Sequence, residues 1–180
     1  MRCFIAVPAP TSPELLTVLG ALGKLGRAVR VVKNDALHVT LRFLGGIDST
    51  VVQEVADVLR SSAQGVEPFD LSVMGLGAFP NHLRPSIVWA GVQDGGQLDA
   101  LVTRLSFELE LIGFVPDQRP FNAHVTLARI KARPPAELRA ILDKHAHTPF
   151  GRCTVDAVKL MKSELTPQGP IYTVVEAVCL

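Results

Sequence analysis

The chain has 180 residues, of which 48% are apolar and 19% charged, and its formal net charge is +1. A chain of this length buries roughly 70% of its unfolded surface on folding, so it needs neither disulfides nor a structural metal, and its composition excludes an intrinsically disordered protein. No apolar run approaches the about 18 residues that span a bilayer, and residues 1–10 lack the pattern of an export signal, so we expect a cytoplasmic protein whose three cysteines stay reduced.

Hydrophobic periodicity predicts short strands alternating with amphipathic helices. The predicted strands are residues 2–7, 28–32, 37–44, 69–78, 87–92, 121–130, 155–160 and 171–178. Four helices are predicted: one that opens at Ser12-Pro13-Glu14, one capped by Asp48 or Ser49, one over residues 97–112 and one over residues 134–144. The strands at 69–78 and 87–92 should form one hairpin, and the last two strands a closing hairpin around residues 166–170.

An internal repeat organises this pattern. The tetrapeptide His-Val-Thr-Leu occurs at residues 38–41 and again at 124–127, and each copy follows a strand and a helix. The strand at residues 3–7 aligns with residues 88–92 in the second copy. We therefore predict a single bilobal domain over residues 1–180, built as two fused α+β units of about 1–85 and 86–180, with strand exchange between the halves left open.

Each copy of the repeat displays an imidazole and a hydroxyl together, because side chains at i and i+2 of a strand point the same way. They are His38 and Thr40 in the first copy and His124 and Thr126 in the second. Two facing imidazoles suit acid and base catalysis near neutral pH, and two hydroxyls can bind the oxygens of an anion. The residues alone do not say which histidine is the acid. No carboxylate cluster adjoins the motifs, so no metal or other cofactor is expected.

The positive charge is concentrated near the two motifs. Residues 27–42 and 117–133 each carry four Lys or Arg side chains against one aspartate, and the rest of the chain is net negative. These basic windows indicate an anionic substrate, and a phosphodiester fits the paired histidines.

The doubled motif resembles the two-histidine phosphoesterases, and most closely the RNA 2′,3′-cyclic phosphodiesterases, also called 2′-5′ RNA ligases. Residues 37–45 (LHVTLRFLG), 121–129 (FNAHVTLAR) and 161–172 (MKSELTPQGPIY) carry the resemblance. It implies two antiparallel sheets that face each other across a central cleft, with the helices outside. It also implies that His38 donates a proton to the departing 3′ oxygen, that His124 accepts a proton from water, and that Thr40 and Thr126 hold the phosphate.

Two further residues are candidate substrate contacts. Strand alternation places Arg42 on the face of His38 and Thr40, as a phosphate contact whose counterpart in the second copy is Ala128. Phe43 is a candidate stacking platform for a nucleobase. Alternation places Phe43 on the buried face unless a bulge intervenes, so a core role stays open.

Three functions are consistent with these sequence features. The leading one is metal-independent hydrolysis of RNA 3′ ends that bear a 2′,3′-cyclic phosphate, with reversible ATP-independent 2′-5′ ligation as a second reaction of the same site. The alternatives are a non-catalytic module that binds RNA ends and a phosphodiesterase for small cyclic nucleotides. None of them calls for a membrane or an obligate protein partner.

Overall fold

The structure, a computed structural model, describes residues 1–167 and 169–180, and these form an α+β fold. The strands are β1 (Arg2–Pro8), β2 (Val29–Val31), β3 (His38–Gly46), β4 (Phe69–Phe79), β5 (Ile87–Gln93), β6 (His124–Ile130), β7 (Pro149–Val155), β8 (Ala157–Thr166) and β9 (Gly169–Cys179). The helices are α1 (Pro13–Gly23), α2 (Val51–Ala63), α3 (Gln97–Leu111) and α4 (Glu137–Lys144), and a 3₁₀ turn covers Asn34–Ala36.

The strands form two antiparallel sets. One set has the order β3-β1-β8-β9, and the other has the order β7-β4-β5-β6. Strand β2 joins the second set by pairing with the C-terminal end of β6. The two sets meet where β3 pairs with β6, so they make one strongly curved sheet. The predicted α+β fold with two strand sets around a cleft is confirmed. Each set contains strands from both halves of the sequence.

The helices cover the outer face of the sheet, as predicted. Helices α1 and α4 pack on the set that contains β4 and β6, and helices α2 and α3 pack on the set that contains β3, β8 and β9. Their apolar stripes bury large aliphatic side chains, each of which contributes about 1.5–3 kcal/mol to folding. No helix in the described part of the chain is both long and apolar enough to cross a membrane.

Helix α1 forms where the sequence places it. The Ser12 side chain accepts a hydrogen bond from the Leu15 backbone N–H at 3.1 Å, and Pro13 occupies the first turn. The four residues predicted for its apolar stripe are all buried: Leu15, Val18, Leu19 and Leu22.

Helix α2 corrects its predicted cap. Its N-cap is Thr50, with no side-chain capping bond, whereas the Asp48 carbonyl accepts a hydrogen bond from the Val51 N–H at 3.1 Å. The helix therefore starts from a backbone turn rather than from a capping side chain.

The sequence prediction missed β7, an edge strand in which Pro149 and Gly151 interrupt the strand pattern. The closing hairpin is also longer than predicted, since β8 continues to Thr166. Gln168, in the predicted turn of this hairpin, lies outside the described residues.

Candidate active site

The two repeated motifs meet at the junction of the strand sets. Val39 of β3 pairs directly with Val125 of β6, and both valines are fully buried. Because strand side chains alternate, the residues that flank each valine project from the opposite face. In this antiparallel register the histidine of each motif stands across from the threonine of the other. The structure thus brings together the four predicted side chains: His38, Thr40, His124 and Thr126.

Both imidazoles are held in the same tautomer by a backbone carbonyl. Nδ1 of His38 donates to the Ala36 oxygen at 2.8 Å, and Nδ1 of His124 donates to the Asn122 oxygen at 2.7 Å. A carbonyl oxygen only accepts, so the proton of each neutral ring lies on Nδ1 and Nε2 is the atom that exchanges protons. Nε2 of His38 lies 3.1 Å from the Thr40 hydroxyl oxygen.

The electrostatic environment disfavours a charged His38 in the free protein. Burial lowers the pKa of His38 below its ordinary value of 6.5, and the hydrogen bond to the Ala36 carbonyl opposes this effect. The nearby charges of His124 and Arg129 lower the pKa of His38 further. At neutral pH without substrate, His38 is therefore predominantly neutral.

Aromatic rings fix the orientation of each imidazole. The rings of Phe4 and Tyr172 have centroids 4.9 and 5.2 Å from that of His38. The corresponding rings beside His124 belong to Phe79 and Trp89, at 5.1 and 6.4 Å. Burial raises the pKa of Tyr172, and the charges of Arg129 and Arg2 oppose this rise. The Tyr172 hydroxyl is therefore a neutral hydrogen-bonding group beside the cleft.

Each motif strand carries a β-bulge at the same position. Consecutive residues of β1 pair with Thr40 and Arg42, so Leu41 is left without a partner. In the same way, consecutive residues of β5 pair with Thr126 and Ala128, so Leu127 of β6 has no partner. An extra residue shifts the side-chain alternation, so residues beyond the bulge change face. The bulges also correct the predicted alignment of the preceding strands, because Ile5 rather than Cys3 now corresponds to Val88.

The prediction that Arg42 shares the face of His38 is wrong, because the bulge moves the Arg42 side chain to the opposite face of the sheet. Arg42 is 4% exposed and its guanidinium forms an ion pair with Asp117 at 2.5 Å. It also donates to the Val115 carbonyl. Arg42 thus anchors the loop that leads into β6 from the outer face of the sheet, and it does not reach the phosphate region.

The same bulge puts Phe43 in the cleft. The ring is 65% exposed and lines the cavity beside His38. The core role that alternation would have given Phe43 is excluded by this exposure. The equivalent position in β6 is occupied by Arg129, which is exposed and lines the same cavity. The asymmetry between the lobes therefore lies in Phe43 against Arg129, rather than in Arg42 against Ala128.

The cleft between the strand sets has a volume of ≈ 400 Å³ and a positive wall. Its described lining contains no carboxylate and five cationic side chains: Arg2, Arg30, Lys33, Arg129 and Lys131. Four of these cations come from the basic windows of the sequence. Within residues 1–167 and 169–180, no three His, Cys, Asp or Glu side chains are grouped so that they could hold a metal ion. The site is thus built to receive an anion.

Sequence reasoning missed Arg129 and Tyr172 as individual site residues. Arg129 follows His124 by the same number of residues as Phe43 follows His38, so the repeat carries the signal for Arg129 once a bulge is allowed. Tyr172 lies in the stretch 161–172, already noted for its family resemblance. Only the β8–β9 pairing brings the Tyr172 ring against His38.

Comparisons with known proteins agree with this geometry. The family model of the 2′-5′ RNA ligase superfamily matches residues 26–167. The RNA 2′,3′-cyclic phosphodiesterase of Archaeoglobus fulgidus is 36% identical over 178 residues, which cover 96% of each chain. The Methanothermobacter thermautotrophicus protein of the same name is 35% identical over 179 residues, with 98% of this chain and 97% of that protein covered.

Solved structures share the fold. The crystal structure of the Thermus thermophilus protein TT0787 superposes with a TM-score of 0.82 at 31% identity, covering 100% of this chain and 98% of that chain. Escherichia coli LigT complexed with 3′-AMP has a TM-score of 0.76 at 24% identity, covering 99% of this chain and 97% of that chain, and it supports the fold. The chain therefore belongs to the 2′-5′ RNA ligase superfamily.

Proposed function

We propose that the chain hydrolyses the 2′,3′-cyclic phosphate at the 3′ end of RNA and leaves a 2′-phosphate. The observation that carries this proposal is the pair of imidazoles of His38 and His124, each bound through Nδ1 to a backbone carbonyl so that Nε2 exchanges the proton, at a cleft that His38, Thr40 and Thr126 line together with cations. The names of the archaeal relatives point to the same substrate.

The proposed reaction moves two protons. Nε2 of His124 accepts a proton from water as the water oxygen attacks phosphorus, and the bond between phosphorus and the 3′ oxygen breaks. Nε2 of His38 donates a proton to that oxygen, so the ribose regains its 3′ hydroxyl and the 2′-phosphate remains. The hydroxyls of Thr40 and Thr126 and the guanidinium of Arg129 bind the non-bridging oxygens. Solvent then returns both imidazoles to their starting protonation.

The same site accommodates ligation. A 5′ hydroxyl of a second RNA takes the place of water and loses its proton to His124, while the 3′ oxygen again leaves with a proton from His38. The product is a 2′-5′ linkage, and the strain of the cyclic phosphate replaces ATP as the source of free energy. The exposed ring of Phe43 provides a surface on which a nucleobase stacks.

The direct test is incubation of the purified protein with an oligoribonucleotide that ends in a 2′,3′-cyclic phosphate, with and without EDTA. We expect conversion to the 2′-phosphate, identified against synthetic 2′- and 3′-phosphate standards, at a rate that EDTA does not change. Tight binding of the 2′-phosphate without turnover of the cyclic end would instead indicate a binding module. Turnover of nucleoside cyclic phosphates with none of the oligonucleotide would indicate a small-nucleotide enzyme.

Product binding should be coupled to proton uptake at His38. The low pKa of His38 leaves the free imidazole neutral at pH 7, and a bound phosphate dianion raises that pKa, so binding draws in a proton. Affinity for the dianion accordingly falls as the pH rises from the pKa of the free His38 imidazole to the higher pKa of the bound one. Calorimetric titration of the 2′-phosphorylated oligonucleotide in buffers of different ionisation enthalpy measures the uptake. The His38→Gln variant should lose it, and uptake unchanged in that variant would contradict the assignment of His38 as the proton donor.

A further inference from the structure

We propose that the cleft contains a second phosphate subsite, formed by Arg30 and Lys131, which binds the 5′-phosphate of the nucleotide that carries the cyclic phosphate. This inference rests on the proposed function, because it places the reactive phosphate beside His38 and Arg129. It selects RNA ends, in which the terminal nucleotide is always linked through its 5′-phosphate, over cyclic nucleosides that lack one.

The first observation is a pair of arginines placed side by side. Arg30 of β2 pairs directly with Arg129 of β6, and both side chains are exposed and line the cleft. Like charges at directly opposed positions destabilise a sheet. Among the described residues, the hydrogen-bond partner of the Arg30 guanidinium is the Pro167 carbonyl, at 3.0 Å. An anion between the strands would remove the repulsion.

The second observation is that two cations, Arg129 and Lys131, line the cavity at alternate positions along the chain. Arg129 and His38 line the same cavity, and the Arg129 charge lowers the pKa of His38, so we assign Arg129 to the reactive phosphate. Lys131, the first residue after β6, lines the cavity two residues further along the chain, and two residues of extended chain span roughly 6.6–6.8 Å. This distance between Arg129 and Lys131 is comparable with the separation of adjacent phosphates along RNA. The subsite thus lies one nucleotide step from the reaction centre.

The third observation is that the Arg30 side chain, which belongs to one strand set, bonds to the hairpin of the other set. Its hydrogen bond to Pro167 reaches the end of the β8–β9 hairpin, and Gly169 and Pro170 at the start of β9 also line the cavity. A guanidinium has five N–H donors, so this bond leaves donors for an anion. A phosphate at this position would lie beside Gly169 and Pro170 and be partly shielded from solvent, which strengthens its ion pairs.

The test compares two reaction-product analogues, adenosine 2′,5′-bisphosphate and adenosine 2′-monophosphate, by calorimetric titration. We expect the bisphosphate to bind the wild-type protein about tenfold or more tightly, as for charge-assisted hydrogen bonds. Arg30→Gln and Lys131→Gln should each remove most of that ratio. Arg27→Gln, an exposed arginine of the same basic window outside the cleft lining, should keep it. Equal affinity of the wild-type protein for the two analogues would overturn the subsite.

Rates of hydrolysis distinguish the second phosphate subsite from the proposed catalytic function. Adenosine 2′,3′-cyclic phosphate with a 5′-phosphate should be hydrolysed with at least about tenfold higher kcat/KM than the form without it, and the ratio should fall in Arg30→Gln. Hydrolysis of both forms at the same kcat/KM would refute the subsite and leave the proposed function intact. Failure to hydrolyse either form or a cyclic-ended oligonucleotide would refute the function, and the binding ratio would still decide the subsite. A binding ratio unchanged in both Arg30→Gln and Lys131→Gln would assign the second phosphate elsewhere.

Discussion

Replacement of either His38 or His124 by alanine should lower kcat/KM for RNA 2′,3′-cyclic phosphate by about 10²–10⁴-fold, the usual contribution of one general acid or base. Each substitution removes one proton-transfer partner and leaves the other in place. Because the two imidazoles act in one step, the double variant should lose far less than the product of the single losses. Initial rates over a pH series measure both effects.

The pH profile gives this prediction a readout that a purely structural defect would not produce. The wild-type profile of kcat/KM should be bell-shaped, with one limb from the base and one from the acid. Each single variant should lose one limb. The matched control is His147→Ala, which removes an exposed histidine outside the cleft lining. Full activity in either His38→Ala or His124→Ala would refute paired-histidine catalysis.

Replacement of Arg129 by glutamine should lower kcat/KM by about 10- to 100-fold, which corresponds to the loss of a hydrogen bond to a charged group worth about 1.5–3 kcal/mol. The guanidinium projects into the cleft beside His38, where negative charge on the phosphate oxygens increases in the transition state. The loss should therefore appear mainly in kcat and should affect substrates with and without a 5′-phosphate equally.

The variant Arg133→Gln is the matched control for Arg129→Gln. It removes the same charge from the same basic window at an exposed position outside the cleft lining, so its kcat/KM should stay within about twofold of the wild type, the scale of a surface charge change. Equal losses in the two variants would show that general electrostatic attraction, rather than a contact at the phosphate, accounts for the effect. Arg129→Gln should also raise the pKa of His38, because the Arg129 charge lowers it in the wild-type protein.

The elements of this fold were largely readable from the sequence because they depend on local periodicity. The stripe of α1 and the strand faces around Val39 and Val125 follow from residue spacing, and all are buried as expected. The missed strand β7 has an irregular pattern, and its pairing with β4 stabilises it. The order of strands was not predictable, since it is decided by contacts between residues distant in sequence, such as those of β1 with β8.

The sequence by itself determined the repeated His-x-Thr motif, the shared face of each histidine and threonine, and the positive charge around them. The tertiary structure alone decided which residues beyond the motifs enter the cleft. Bulges at Leu41 and Leu127 exist because β1 and β5 pair with the motif strands in shifted register. In β3 the extra residue inverts the side chains that follow it, as far as a second register shift at Leu44, and this inversion buries Arg42 and turns Phe43 into the cleft.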